Sequence, residues 1–197
     1  VPGDISSAAY FLVAGTIIAD SHLRLNNVGI NPTRTGILDV LRDMGAHISV
    51  HNERESGGER VADLLVEAAP LHGVSFGAEI MPRLIDEIPV LAVAALFAEG
   101  DTIITGAGEL RVKETDRLHA IATELQKLSP GNIEEREDGL VIHGKSEIRR
   151  AQVKSYDDHR MAMSLAVLGA AGEGVLIENS ESVNISYPTF FSEIDRL

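Results

Sequence analysis

Three segments of this chain are apolar nearly all the way round a helix, and they recur in a common setting. They are residues 8–18 (AAYFLVAGTII), 88–98 (IPVLAVAALFA) and 161–171 (MAMSLAVLGAA). Ala, Leu and Met favour helix. A helix without a polar face must be buried on every side. Each segment follows capping chemistry: Asp4-Ile5-Ser6-Ser7, Asp86-Glu87 and Asp157-Asp158. Each leads into a short strand-like stretch, at 22–26, 102–105 and 175–178, and then into a second helix at 32–44, 113–128 and 188–197. Strand-like segments close the first two copies, at 47–50 with 63–66 and at 133–135 with 139–143. The Gly-rich stretch 52–60 (NERESGGER) reads as a surface hairpin or loop.

The unit is therefore helix, strand, helix, strand, strand. Its register residues Asp4, Asp86 and Asp157 are spaced by 82 and 71 positions. The strands alternate, with Leu23 and Leu25 against Arg24 and Asn26, so each has one wet face. A doubly wound fold shows the reverse, with apolar strands inside and amphipathic helices outside. The polarity predicts an inside-out α/β fold: buried helices surrounded by solvent-facing sheets. Its repeats are expected at 1–70, 71–147 and 148–197 of a single domain.

Composition narrows the chemistry. The net charge of −13 lacks the basic stripe of a nucleic-acid surface. Cysteine is absent, which removes disulfides and thiolates. The seven histidines show no metal-ligand spacing, and no P-loop or GxSxG elbow is present. No apolar run reaches the roughly 18 residues of a membrane span. No leader is visible, so the expected setting is cytoplasmic.

Four segments carry candidate chemistry. In LRVKETDRL (110–118), Lys113 and Arg117 are four apart, on one face of the expected helix, with Glu114 in its first turn. This is either a solvated helix start or an anion site with Glu114 as general acid or base. In SYDDHRMAM (155–163), Arg160 either pairs with Asp157 or Asp158 at the cap or offers its fork to a carboxylate or phosphate. His159 beside it is ordinarily structural. In PRLIDEIP (82–89), Asp86 is either an N-cap or a carboxylate that takes a proton from a hydroxyl. In NPTRTG (31–36), Pro32 suits the first helical position, and Arg34 is either an anion ligand or exposed. All four lie at expected helix N-termini in equivalent repeat positions. Parallel helices would gather Asp86, Lys113, Glu114, Arg117, His159 and Arg160 on one face, able to draw in polyanions.

These motifs, with VPGDISSAA at the start and ISYPTFF near the end, resemble the C-terminal half of the 5-enolpyruvylshikimate-3-phosphate synthase family, in order and over essentially the whole chain. RLIDEIP with ELRVKE is more similar to the glyphosate-tolerant branch than to the enteric one. The resemblance implies a fold of βαβαββ units with helices inside. It implies transfer of enolpyruvyl from phosphoenolpyruvate to the 5-hydroxyl of shikimate-3-phosphate, with no metal or organic cofactor. By motif, Asp86 matches the base for the attacking hydroxyl, and Glu114 the acid that helps protonate the methylene carbon. Lys113 matches a shikimate-3-phosphate ligand, Arg117 and Arg160 match phosphoenolpyruvate ligands, and His159 supports that site. Ile185 stands where the enteric form has a lysine, and Glu109 where it has an asparagine. The family's N-terminal domain has no counterpart here, so the chain is expected to fold but not to turn over alone. The readings that compete are a UDP-N-acetylglucosamine enolpyruvyl transferase and a non-enzymatic anion-binding repeat module.

Overall fold

The computed structural model describes residues 2–145 and 147–197; Val1, the first residue of VPGDISSAA, and Ser146 lie outside the described residues. Three helices fill the interior: α1 (Ile5–Ile17), α3 (Ile88–Phe97) and α5 (His159–Ala171). They coincide with the three apolar segments and pack on one another. Every residue of α3 from Ile88 to Leu96 is buried, as its lack of a polar face requires.

Three sheets wall this bundle. The first runs in the order β1 (His22–Gly29), β3 (Glu59–Glu67), β2 (His47–Ser56), with both pairings antiparallel. Its β2–β3 hairpin turns at Gly57 and Gly58, both at positive φ, inside the stretch read as a surface hairpin. The second has the order β4 (Ser75–Phe76), β5 (Asp101–Ile104), β7 (Gly139–His143), β6 (Ile133–Arg136). The third pairs only β8 (Gln152–Lys154) with β9 (Leu176–Glu178). The sheets face outward over buried helices, as the polarity predicts.

The repeat has a strand that the residue pattern does not reveal. β4 pairs in parallel with β5, β8 with β9, and Gly3 makes a parallel bridge to Val28. Each buried helix is thus the crossover of a βαβ unit. This common construction brings the N-termini of α1, α3 and α5 to one end. Close approach at the other end needs small residues. A Cβ on Gly15 of α1 would lie 2.7 Å from Val66 Cγ1, and one on Gly169 of α5 would lie 2.7 Å from Val175 Cγ2.

The second helices differ from expectation. α2 (Gly36–Asp43) begins four residues after Pro32, because Asn31 folds back in a turn, its Oδ1 accepting from the Thr33 N–H at 3.0 Å. Lys113 and Glu114 precede α4 (Arg117–Leu128) instead of lying within it. A 3-10 turn over Gly108–Val112 comes first, and Asp116 caps α4 by accepting from the His119 N–H at 3.0 Å. The last helix is split into α6 (Val183–Ser186) and α7 (Phe190–Ile194) around Pro188.

Replacing Leu91, buried in α3, by Ala is expected to cost about 2–5 kcal/mol in urea unfolding. On the outer face of the second sheet, His143 Nδ1 lies 2.8 Å from Asp101 and Nε2 3.2 Å from Glu134. Hydrogen bonds to these carboxylates hold its pKa above the ordinary 6.5. Its stabilising effect is therefore full below pH 6.5 and fades as pH rises through the elevated folded value. The stability difference between the natural chain and His143→Asn should shrink over that rise.

Candidate active site

The site is organised around one guanidinium. Arg117 is the first residue of α4, and its side chain is 1% exposed. Its Nε–H donates to Asp158 Oδ2 at 2.6 Å, Nη1 to Asp86 Oδ1 at 3.1 Å, and Nη2 to Glu114 Oε2 at 2.6 Å. A buried Arg needs such partners, since an unpaired charge out of water costs several kcal/mol. Asp158 is 0% exposed and has a second task. As the N-cap of α5, it accepts from the Arg160 N–H at 2.8 Å and the Met161 N–H at 3.4 Å. The cap therefore aligns Asp158 for Arg117, and Arg117 ties α4 to α5 and to the 3-10 turn Ile85–Glu87 that precedes α3.

Asp86 is the meeting point of three cations. Besides Arg117, Lys113 Nζ lies 3.8 Å from Oδ1, and Arg160 Nη2 lies 3.4 Å from Oδ2. It makes no capping bond to α3, which corrects the reading of Asp86 as an N-cap. Lys113 is held by Glu109 at 2.8 Å, and this hydrogen bond raises its pKa and keeps it cationic. Lys113 and Arg117 meet at Asp86 from a loop and a helix end, not from one helical face.

Arg160 points away from its own cap. Its guanidinium lies near Asp86 and Glu87, with Nη1 3.8 Å from Glu87 Oε1. Burial works against its charge, but Tyr10, Asp86 and Glu87 more than offset this. His159 beside it titrates below 6.5, through burial first and the Arg160 charge second, so its ring is neutral at pH 7. Arg160 and His159 line a shallow cavity of about 100 Å³ with Ser6, Tyr10 and Ser186. Arg34 stands nearby, donating to Ser6 Oγ at 3.0 Å and paired with Asp4 at 3.1 Å.

All six residues singled out in the sequence thus lie in one cluster. Its charge differs from expectation: Lys113, Arg117 and Arg160 face Asp86, Glu87, Glu114 and Asp158, so the patch is not a net-positive focus. Three members are not among those six: Asp158, which the sequence offers only as a cap, Tyr10 and Glu87. Tyr10 is fully buried in α1, and burial drives its hydroxyl pKa upward. Glu87 was read only as capping chemistry. The available signals were a lone Tyr in an apolar run and a second acid in tandem with Asp86. Among the described residues, no group of three or more His, Cys, Asp or Glu is arranged to hold a metal.

Comparisons with known proteins bear on the family and the fold. The profile of the family described as EPSP synthase (3-phosphoshikimate 1-carboxyvinyltransferase) matches residues 1–194. The chain is 52% identical to a 3-phosphoshikimate 1-carboxyvinyltransferase of Thermoanaerobacter sp. (strain X514), over 100% of this chain and 47% of that protein. It is 53% identical to one of Bacillus cereus (strain 03BB102), over 100% of this chain and 46% of that protein. The structure of EPSP synthase from Acinetobacter baumannii superposes with a TM-score of 0.95 at 42% identity, covering 100% of this chain and 46% of that one. The enolpyruvyl transferase NikO from Streptomyces tendae shares the fold at a TM-score of 0.78 and 23% identity, over 100% of this chain and 43% of that one. The chain spans about half the length of the curated relatives it matches.

Removing Asp158 takes from Arg117 its one fully buried carboxylate and from α5 its cap. Asp158→Ala is expected to cost about 3–5 kcal/mol in urea unfolding, as for other broken buried pairs. Asp158→Asn should cost less, because its amide oxygen still accepts from the α5 N–H groups.

Proposed function

The chain belongs to the EPSP synthase family, and from that premise we propose that it supplies one wall of the active site of a 3-phosphoshikimate 1-carboxyvinyltransferase. In this reading the 5-hydroxyl of shikimate-3-phosphate attacks C2 of phosphoenolpyruvate, C3 gains a proton, and the adduct then loses phosphate and that methyl proton. The observation that carries the assignment is the shared guanidinium. Asp86 and Glu114 are separate carboxylates held by Arg117 at 3.1 and 2.6 Å, which fixes a proton acceptor and a proton donor relative to each other.

Asp86 takes the hydroxyl proton. Glu114, half exposed at the mouth of the cluster, delivers the proton to C3 and takes it back on elimination. Lys113 reaches the phosphorylated acceptor. Arg160 receives the anionic groups of phosphoenolpyruvate with a two-pronged fork, and neutral His159 supports it. Arg117 is enclosed by Asp86, Glu114 and Asp158, so in this reading it approaches phosphoenolpyruvate at the half-exposed edge beside Glu114 and otherwise holds the two carboxylates in place. Cations and α-helix N-termini then stabilise the negatively charged adduct.

Two features support a second wall from outside this chain. The patch lacks surplus positive charge for two anionic substrates, so further cations must come from elsewhere. Among the described residues the third sheet has two strands and leaves Leu176 62% exposed, where the other modules add an antiparallel hairpin. The partner in this proposal is the N-terminal half of the same synthase, and the compartment is the cytoplasm. No helix among the described residues is long and apolar enough to cross a membrane.

Phosphate release from both substrates tests the reading. The chain alone should show no appreciable turnover, and addition of a separately made N-terminal half should restore it. In the restored assembly, Asp86→Asn or Glu114→Gln should lower kcat about 10²–10⁴-fold with folding retained. Full turnover by the chain alone would contradict the proposal, and unchanged kcat in both variants would favour a binding module.

A further inference from the structure

Two glutamates of this chain are almost completely buried, and they are treated very differently. Glu124 of α4 accepts from Lys127 Nζ at 2.6 Å, the Lys154 N–H at 2.9 Å and the Tyr156 hydroxyl at 2.7 Å. That is how a buried structural carboxylate is satisfied. Glu87 is 5% exposed, yet its Oε1 has no hydrogen-bond partner. It occupies the N-cap position of α3 without a side-chain capping bond, so capping does not explain its burial. Its neighbour across the gap is Arg160, with Nη1 3.8 Å from Oε1 and Nη2 3.4 Å from Asp86 Oδ2. Both separations exceed those of a tight charge-assisted bond, about 2.7–2.9 Å. The guanidinium is aimed by two carboxylates and locked by neither.

We propose that Glu87 is a positioning residue for Arg160, holding the guanidinium toward the cavity in the empty site and taking up a proton when an anion seats on it. This rests on the assignment of Arg160 as a phosphoenolpyruvate ligand. The groups facing Glu87 are Ser6 and Tyr10 of α1, Arg34 from the loop before α2, Asp86 beside it and Arg160 of α5. Burial already pushes its pKa up, Asp86 adds to this, and Ser6, Arg160 and Arg34 partly offset it. An incoming carboxylate or phosphate adds negative charge and takes a share of the Arg160 fork. Protonation of Glu87 relieves both effects. It also turns the unpartnered acceptor into an O–H donor. Asp86 remains on the other side of Arg160 as the carboxylate for proton transfer. A tandem Asp-Glu thus divides two tasks between adjacent side chains.

The test titrates the restored assembly, in which this chain is ¹³C-labelled, with phosphoenolpyruvate, following the assigned Glu87 carboxyl carbon by NMR and proton uptake by calorimetry in two buffers. At saturation the Glu87 signal should move toward the protonated position, with its proton affinity up about tenfold or more. Glu87→Gln should still bind and should lose the proton uptake. A Glu87 signal that does not move, or equal uptake by Glu87→Gln, overturns the proposal. If Glu87→Gln does not fold, the natural chain's Glu87 titration with and without phosphoenolpyruvate decides alone. Arg160→Ala separates the two levels. Undiminished binding by that variant, or no binding by the natural chain joined to the N-terminal half, overturns the ligand assignment and this inference together. Loss of binding by Arg160→Ala with an unmoved Glu87 signal in the natural chain overturns this inference only.

Discussion

A guanidinium removed from water needs negative charge on more than one side, and the way Arg117 obtains it shapes the end of the molecule where the three interior helices begin. Its three carboxylates come from the turn before α3, the loop before α4 and the cap of α5. Glu114 is local, three residues before Arg117, but Asp86 and Asp158 reach it only through the fold. Such a cluster is not a large source of stability, because desolvation consumes much of the Coulombic gain. What it provides is geometry. Each carboxylate is fixed by a bond that fails if its element shifts by an ångström or two.

The architecture makes that meeting possible. Each module runs strand, buried helix, parallel strand, so the three interior helices start at the same end. Their dipoles therefore act on one region. Sheets on the outside leave the helix ends uncovered. The polar apparatus sits at the rim of an apolar bundle, where an acid or a cation keeps one face in water. Arg117 and Asp158 are drawn fully inside and pair with each other there, and Tyr10 and Glu87 lie almost as deep.

The three interior helices were legible in the sequence because continuous apolarity has one physical outcome. The hairpins β2–β3 and β6–β7 were legible by alternation and turn residues. β4 and β8 were not, since two or three residues carry no period, and their pairing is decided by the helix that follows. The segment 113–116 looked helical because its charges suit a first helical turn. Asp116 captures the N–H of His119 and starts α4 later. The site residues were legible as a set, through motif order and repeat position. Their connections were not, because a tandem acid before an apolar helix reads as a cap whether or not it makes a capping bond. Asp86 and Glu87 make none, whereas Asp158 does.

The central claim is that Arg117 is buried and bonded by its Nε–H to Asp158 while its other nitrogens hold Asp86 and Glu114. Nitrogen-15 NMR of the arginine Nε–H group reports this directly. The account predicts a resolved Arg117 Nε–H signal, shifted downfield by the 2.6 Å bond and protected from exchange with water far longer than the exposed arginines. An Arg117 signal that exchanges as fast as those surface groups would contradict it.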